Sequence, residues 1–209
     1  MAPAPFVSLD GLDGCGKTTQ CRLLAAWLRG RGYDATECAD PGGTPAGDAI
    51  RDLVLHRRQQ LSVACEAFLF MASRAQLTSE IIQPALARGR AVVADRYLLA
   101  NVVYQGHAGG LEPDQLWEIG RLATQGLEPD LTVVLDLPVE VARARRAGIA
   151  DRMESRGHEF HARVRAGYLE EAQRRPDRIR VVDATLSVDA VHERICEEVA
   201  GVLAANPRA

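Results

Sequence analysis

The chain has a single lysine, Lys17, among 25 basic side chains. An N-K-x-D guanine-reading motif therefore cannot exist in it, which argues against a GTPase switch. Cysteine is scarce and unpatterned. Cys15, Cys21, Cys38, Cys65 and Cys196 are odd in number and never spaced C-x-x-C, which speaks against a disulfide framework or zinc site and for a reducing, cytoplasmic setting. His56, His107, His158, His161 and His192 show no metal-ligand spacing with cysteines or acids. No stretch reaches the roughly 18 apolar residues of a membrane span, and the opening MAPAPFVSLDG lacks a basic leader region. The formal net charge of -3 gives no whole-molecule attraction to nucleic acid or to an anionic membrane. With 209 residues, 47% of them hydrophobic, and no repeat or linker, one domain spanning 1–209 is expected.

The lone lysine stands in Gly11-Leu12-Asp13-Gly14-Cys15-Gly16-Lys17-Thr18, which fits G-x-x-x-x-G-K-[ST]. Gly11, Gly14 and Gly16 permit the close backbone approach that wraps a phosphate chain. Lys17 brings a compact ammonium to the β- and γ-phosphates, and Thr18 offers a hydroxyl to Mg²⁺. Before this loop, residues 6–9 read as a short buried strand. After it, residues 18–29 place Leu23, Leu24, Trp27 and Leu28 at helical spacing, ended by Gly30 and Gly32. Strand, loop and helix in this order form an anion site from loop amides and a helix N-terminus. The run from Gly11 through Thr18, with Thr19, is thus the expected ATP-binding segment.

Further strands are expected over residues 34–39, 91–94, 131–137 and 179–182. Helices are expected near 46–56, 63–79, 113–125, 138–147, 158–174 and 188–203, with another entering through Pro84 and followed by Gly89. Strands alternating with helices predict an α/β fold with a parallel sheet covered on both faces. Ligands of such sheets bind beyond the strand carboxyl ends, where the glycine loop, Asp40, Asp95 and Arg96 converge.

Several side chains admit two readings. Asp13 is either a turn-former or a contact for a second substrate's hydroxyl or a hydrated metal. Asp95 is either a helix cap or, beside Thr18, a holder of a magnesium-bound water. Arg74 and Arg96 are candidate phosphate clamps, since arginine grips phosphate with a planar fork. Arg96 is favoured because it follows a buried strand aimed at the site. Phe70 is either core or a stacking platform. The segment 143–156 holds five arginines around a glycine. It is either a solvated face or a lid that delivers arginines onto a transferred phosphoryl group.

Taken in order, these motifs resemble the thymidylate kinase family over essentially the whole chain. Its opening E-G-x-D-G-x-G-K-[ST]-T-Q is similar to residues 10–20, and its E-P-G-G-T with a following R-x-L helix to residues 40–44 and Arg51. Its F-x-x-x-R pair is met by Phe70 and Arg74, and its D-R-Y/H run ending in A-Y-Q-G by residues 95–106. Pro129, Asp130, Leu131 and Thr132, then residues 151–154 and Tyr168, complete the series. The resemblance implies a P-loop nucleoside-monophosphate-kinase-like fold with a five-stranded parallel sheet and a short lid. It also implies transfer from Mg²⁺-ATP to dTMP, giving dTDP for dTTP biosynthesis, in a homodimer.

Carried over residue by residue, Phe70 would stack on thymine, and Arg74 would contact the base or the acceptor phosphate region. Asn101, Tyr104 and Gln105 would line the thymidine pocket with Asp40 nearby. Asp13 would lie near the sugar 3′-hydroxyl, and Arg96 would bridge the two phosphates. Thr18 and Asp95 would serve the metal. With no basic residue at Gly14 or Cys15, the catalytic cation would come from the lid, with Arg145, Arg146 and Arg152 as candidates. Asp10 and Asp40 stand where glutamates are usual, Ala39 where an arginine often precedes the second motif, and Ala100 where serine is common. Two rival readings remain: another deoxynucleotide or nucleoside kinase on this fold, and a P-loop module that binds nucleotide without turnover.

Overall fold

The computed structural model describes residues 4–56, 60–145, 152–153 and 155–205. Five parallel strands form one sheet in the order β2-β3-β1-β4-β5. They are β1 (Phe6–Gly11), β2 (Ala35–Ala39), β3 (Ala91–Asp95), β4 (Leu131–Asp136) and β5 (Ile179–Asp183). All six residues of β1 are buried. Because successive strand residues point to opposite faces, both faces of the sheet must be covered. The helices that follow are α1 (Lys17–Gly30), α2 (Pro45–Arg51), α3 (Val63–Leu77), α4 (Gln83–Ala87), α5 (Leu98–Asn101), α6 (Pro113–Ala123), α7 (Val139–Arg145), α8 (His158–Arg174) and α9 (Val188–Ala205). Helix α1 packs on α9 and on β1–β3, whereas α3, α5 and α6 pack on one another and α8 on β4 and β5. Among the described residues no helix is long and apolar enough to cross a membrane.

Register decides where the site lies. Leu9 of β1 is abreast of Asp95 of β3, and Ala39 of β2 is abreast of the same Asp95. The backbone continues the pairing: Arg96 N donates to Leu9 O at 2.9 Å and Asp40 N to Asp95 O at 3.0 Å. The carboxyl ends of three adjacent strands therefore deliver the glycine loop, Asp40 and Arg96 to one edge of the sheet.

Three helical segments depart from the sequence expectation. No new helix begins at Pro84: α3 runs through a π-turn (Thr78–Ile82) straight into α4. The wider turn shifts the hydrogen-bond register and absorbs the N–H that proline lacks, so the chain does not break. Helix α2 likewise ends in a π-turn, Asp52–His56. A helix over residues 98–107 was not expected, and α5 continues there as a π-turn, Val102–His107. Its residues 98–106 are all buried, so it shows no amphipathic period.

Gly11 closes β1 with φ +134°, and a Cβ there would lie 2.6 Å from the backbone oxygen of Leu135. Gly30, at the end of α1, has nothing within 4 Å of its ideal Cβ. Gly11→Ala should therefore lower stability by about 2 kcal/mol or more through clash and dihedral strain. Gly30→Ala should leave the urea midpoint unchanged or raise it. Equal midpoints for the two variants would contradict this packing of the loop on β4.

Candidate active site

A cleft of about 730 Å³ opens at the carboxyl edge of the sheet. On one side lies the glycine loop, where Gly14 (φ 90°) and Gly16 (φ 98°) adopt the left-handed turns that a side chain would resist. Lys17 begins α1 and is 7% exposed; its Nζ donates to the carbonyls of Gly11 (3.2 Å) and Leu12 (2.9 Å) and lies 3.6 Å from Asp13. Thr18 Oγ1 donates to Asp95 Oδ2 at 2.6 Å. Asp95 caps no helix, since α5 has Tyr97 at its N-cap and no side-chain cap bond there.

Arg96 occupies the middle of the cleft. It is one of two non-glycine residues with positive φ (69°) among those described, a conformation that costs on the order of 1 kcal/mol or more. Three bonds hold it there: Nη2 donates to Asp13 (2.6 Å) and to the Tyr104 hydroxyl (3.2 Å), and Nη1 donates to the Tyr168 hydroxyl (3.1 Å). Tyr168 in turn donates to Asp10 Oδ1 at 3.3 Å. Burial pushes the Asp13 carboxyl up, but Arg96 and Lys17 outweigh it and hold Asp13 well below the usual carboxylate range. Asp10 behaves oppositely. It is fully buried, its Oδ2 has no hydrogen-bond partner, and desolvation raises it to about 7 despite the charges of Arg96 and Lys17.

The far side of the cleft is built from α2, α3 and α5. The residues 40–44 turn is pinned from both flanks: Gly42 N donates to Ser73 Oγ (3.1 Å), and Arg51 Nη1 donates to Pro41 O (2.7 Å). The Asp40–Pro41 peptide is cis. Arg74, 2% exposed, donates through Nε to Asp40 Oδ2 at 2.6 Å and through Nη1 to Asn101 Oδ1 at 3.0 Å. Phe70 lies one helical turn before Arg74, lines the cleft, and backs onto Val54 and Met153. It is therefore both packing and cleft wall. Asn101 and Gln105 complete this wall through an amide–amide bond of 3.0 Å.

This arrangement joins a cradle for a triphosphate to a pocket lined by an aromatic ring, buried amides and an arginine. The thymidylate kinase family model matches residues 9–195. The chain belongs to the thymidylate kinase family. It is 46% identical over 201 residues to the thymidylate kinase of Thermomicrobium roseum, covering 95% of each chain. It is 45% identical over 199 residues to that of Symbiobacterium thermophilum, covering 93% of each. A crystal structure of the thymidylate kinase from Ehrlichia chaffeensis superposes with a TM-score of 0.77 at 27% identity, over 94% of this chain and 98% of that one.

Within this thymidylate kinase family chain, most of the expected site residues meet at one cleft. Asp13, Gly14, Gly16, Lys17, Thr18, Thr19, Asp40, Phe70, Arg74, Asp95, Arg96, Asn101, Tyr104 and Gln105 all line it. Leu12 and Cys15 are buried behind the loop. The arginine-rich segment is divided. Arg145 lines the cleft while donating to Ala184 O at 2.8 Å. Arg152 does not line it: Nε donates to Val54 O (2.8 Å) and Nη1 to Glu66 Oε1 (2.5 Å). Arg146 and the centre of the expected lid lie outside the described residues. Sequence reading missed Glu66, a fully buried acid that gathers Arg152 and Arg156. Its only sequence signal is an acid one turn before Phe70 in the otherwise apolar run of residues 63–72.

Asp10 generates a pH test. The folded carboxyl keeps its proton up to about pH 7, whereas the unfolded one loses it near 3.8. Stability contributed at this position therefore falls as pH rises between those values, and the loss is complete above pH 7. Asp10→Asn should gain stability over the parent at pH 8, on the order of a few kcal/mol, and little at pH 4. Denaturant midpoints at both pH values measure this; a gain independent of pH would refute an ionisation cost.

Proposed function

We propose that this chain transfers the γ-phosphoryl group of Mg²⁺-ATP to dTMP, giving dTDP and ADP. The observation that carries the reading is one cleft in which Arg96, anchored to Asp13, stands between the Lys17 loop and the Phe70–Arg74–Asn101 pocket. A donor triphosphate on the loop and an acceptor phosphate from the pocket would meet at that guanidinium.

The acceptor oxygen is already anionic, so the reaction needs alignment and charge neutralisation more than a base. Asp13 suits this chemistry, since a carboxylate held so acidic is a poor proton acceptor but a good partner for a sugar hydroxyl. Lys17 and Arg96 would offset charge on the transferred group, and Arg145 is the described arginine of the 143–156 segment best placed to add to them. Phe70 offers a face for the base, with Arg74, Asn101 and Gln105 at its edge. Thr18 Oγ1 and Asp95 Oδ2 are a hard-oxygen pair 2.6 Å apart, which fits Mg²⁺. Held by Thr18 and Asp95, the ion would supply charge neutralisation to the phosphates.

This reading includes a cytoplasmic homodimer. Phe68, 59% exposed on α3, offers apolar surface for pairing of two copies. Phe68→Glu should shift the sedimentation profile toward monomer; an unchanged profile would remove α3 from the pairing face.

An acceptor panel of dTMP, dUMP, dCMP, dGMP and thymidine with ATP, followed by ADP release, tests the reaction. Turnover should be highest with dTMP, and preference for unphosphorylated thymidine would overturn the acceptor assignment. Lys17→Ala should reduce turnover by about 10³-fold or more with little change in the KM for dTMP, because its interaction strengthens in the transition state.

A further inference from the structure

Glu66 lies outside the cleft, yet the two buried amides of its base side, Gln105 and Asn101, are tied to this residue. It is wholly buried on α3, one turn before Phe70. Three side chains donate to it: Arg152 Nη1 at 2.5 Å, Arg156 Nη2 at 2.8 and 3.0 Å, and Gln105 Nε2 at 3.4 Å. From Gln105 the bonds continue inward. Gln105 Oε1 accepts from Asn101 Nδ2 (3.0 Å), and Asn101 Oδ1 accepts from Arg74 Nη1 (3.0 Å).

The ends of this relay have fixed character. Arginine can only donate, and an ionised carboxylate can only accept. Two carboxamides strung between them have one orientation that satisfies every bond, with both oxygens toward Arg74 and both nitrogens toward Glu66. Reversing either amide would set oxygen against oxygen or nitrogen against nitrogen. Each amide nitrogen uses one of its two hydrogens in the relay, which leaves donors for a ligand in the cleft that Asn101 and Gln105 both line. Such a wall suits a base edge bearing carbonyl oxygens and disfavours one bearing an exocyclic amine. A buried carboxylate can hold this position only if its charge is met, and Arg152 and Arg156 meet it.

We propose that Glu66 is a positioning residue for acceptor selectivity, its carboxylate fixing the sense of Gln105 in the Gln105–Asn101 relay, opposite Arg74 at the Asn101 end, and held in place by Arg152 and Arg156. The inference rests on the dTMP reading above. It gives the two arginines a role away from the phosphates: they act on base recognition through Glu66.

The test compares kcat and KM for dTMP and dCMP, and KM for ATP, in the parent chain, E66Q, R156Q and E66Q/Q105E. In E66Q the carboxamide keeps its oxygen on Arg152 and Arg156 and turns its nitrogen to Gln105, so Gln105 must either meet donor with donor or reverse and give up its bond to Asn101. The dTMP-over-dCMP preference in kcat/KM should fall about tenfold, roughly the worth of one hydrogen bond, through the KM for dTMP and with the KM for ATP held. E66Q/Q105E restores an acceptor-only group next to Asn101 at the cost of the free donor of Gln105, and should recover the part of the lost preference that Asn101 carries. R156Q should raise the KM for dTMP severalfold with kcat little changed. If E66Q folds poorly, R156Q carries the test: a fall in kcat at constant dTMP KM would overturn the inference. Unchanged selectivity in folded E66Q, or no recovery in the double variant, also overturns it. A parent chain with no preference for dTMP sinks the dTMP reading and this inference with it. A parent that prefers dTMP beside an equally selective E66Q sinks the inference alone.

Discussion

The Arg96–Asp13 ion pair organises the cleft. Arg96 leaves β3 in a left-handed conformation that a non-glycine residue avoids, and Asp13 projects from a loop that must also accommodate phosphate. Each compensates the other: the guanidinium lets a carboxylate persist beside an anion site, and the carboxylate holds the guanidinium at a strained turn. Tyr104 and Tyr168 complete the hold on Arg96 from the π-turn after α5 and from α8. Elements far apart in sequence thus meet on one side chain, and its position is fixed before any substrate arrives. Such preorganisation is the main resource available for phosphoryl transfer, where the protein has little covalent chemistry to perform.

The opposite wall follows the same logic with stronger burial. Arg74 and Asp40 are almost entirely removed from solvent, and such a pair contributes less to stability than to specificity of arrangement. The turn at residues 40–44 is tied to α3 through Ser73 and to α2 through Arg51. The carboxylate is thereby held where the arginine needs it. Asp40 in place of a longer acid still meets Arg74 directly, so the missing methylene has not opened a gap in this wall.

Much of this was legible in the sequence because the informative features are local. The strand–loop–helix around Lys17, the turn at residues 40–44, and Asp95-Arg96 after an apolar run each declare themselves within about a dozen residues. Strand placement was read within a residue or two, and α8 to its ends. Legibility failed where burial is complete or partners are distant. Residues 98–106 are buried on every side and present no period, although Asn101, Tyr104 and Gln105 lie among them. Pro84 reads as a helix start, but a π-turn carries the helix through it. The division of labour between Arg145 and Arg152 depends on Ala184, Val54 and Glu66, and no local pattern joins them.

The solitary lysine also shapes how this molecule can be handled. Its ammonium is almost inaccessible, folded under two loop carbonyls, and all the other basic side chains are arginines. Amine-directed coupling at a side chain, whether to a dye, a resin or a cross-linker, is left with the candidate site itself. Thiol chemistry has a better handle, because Cys65 is the one exposed cysteine. Attachment there leaves the phosphate cradle untouched.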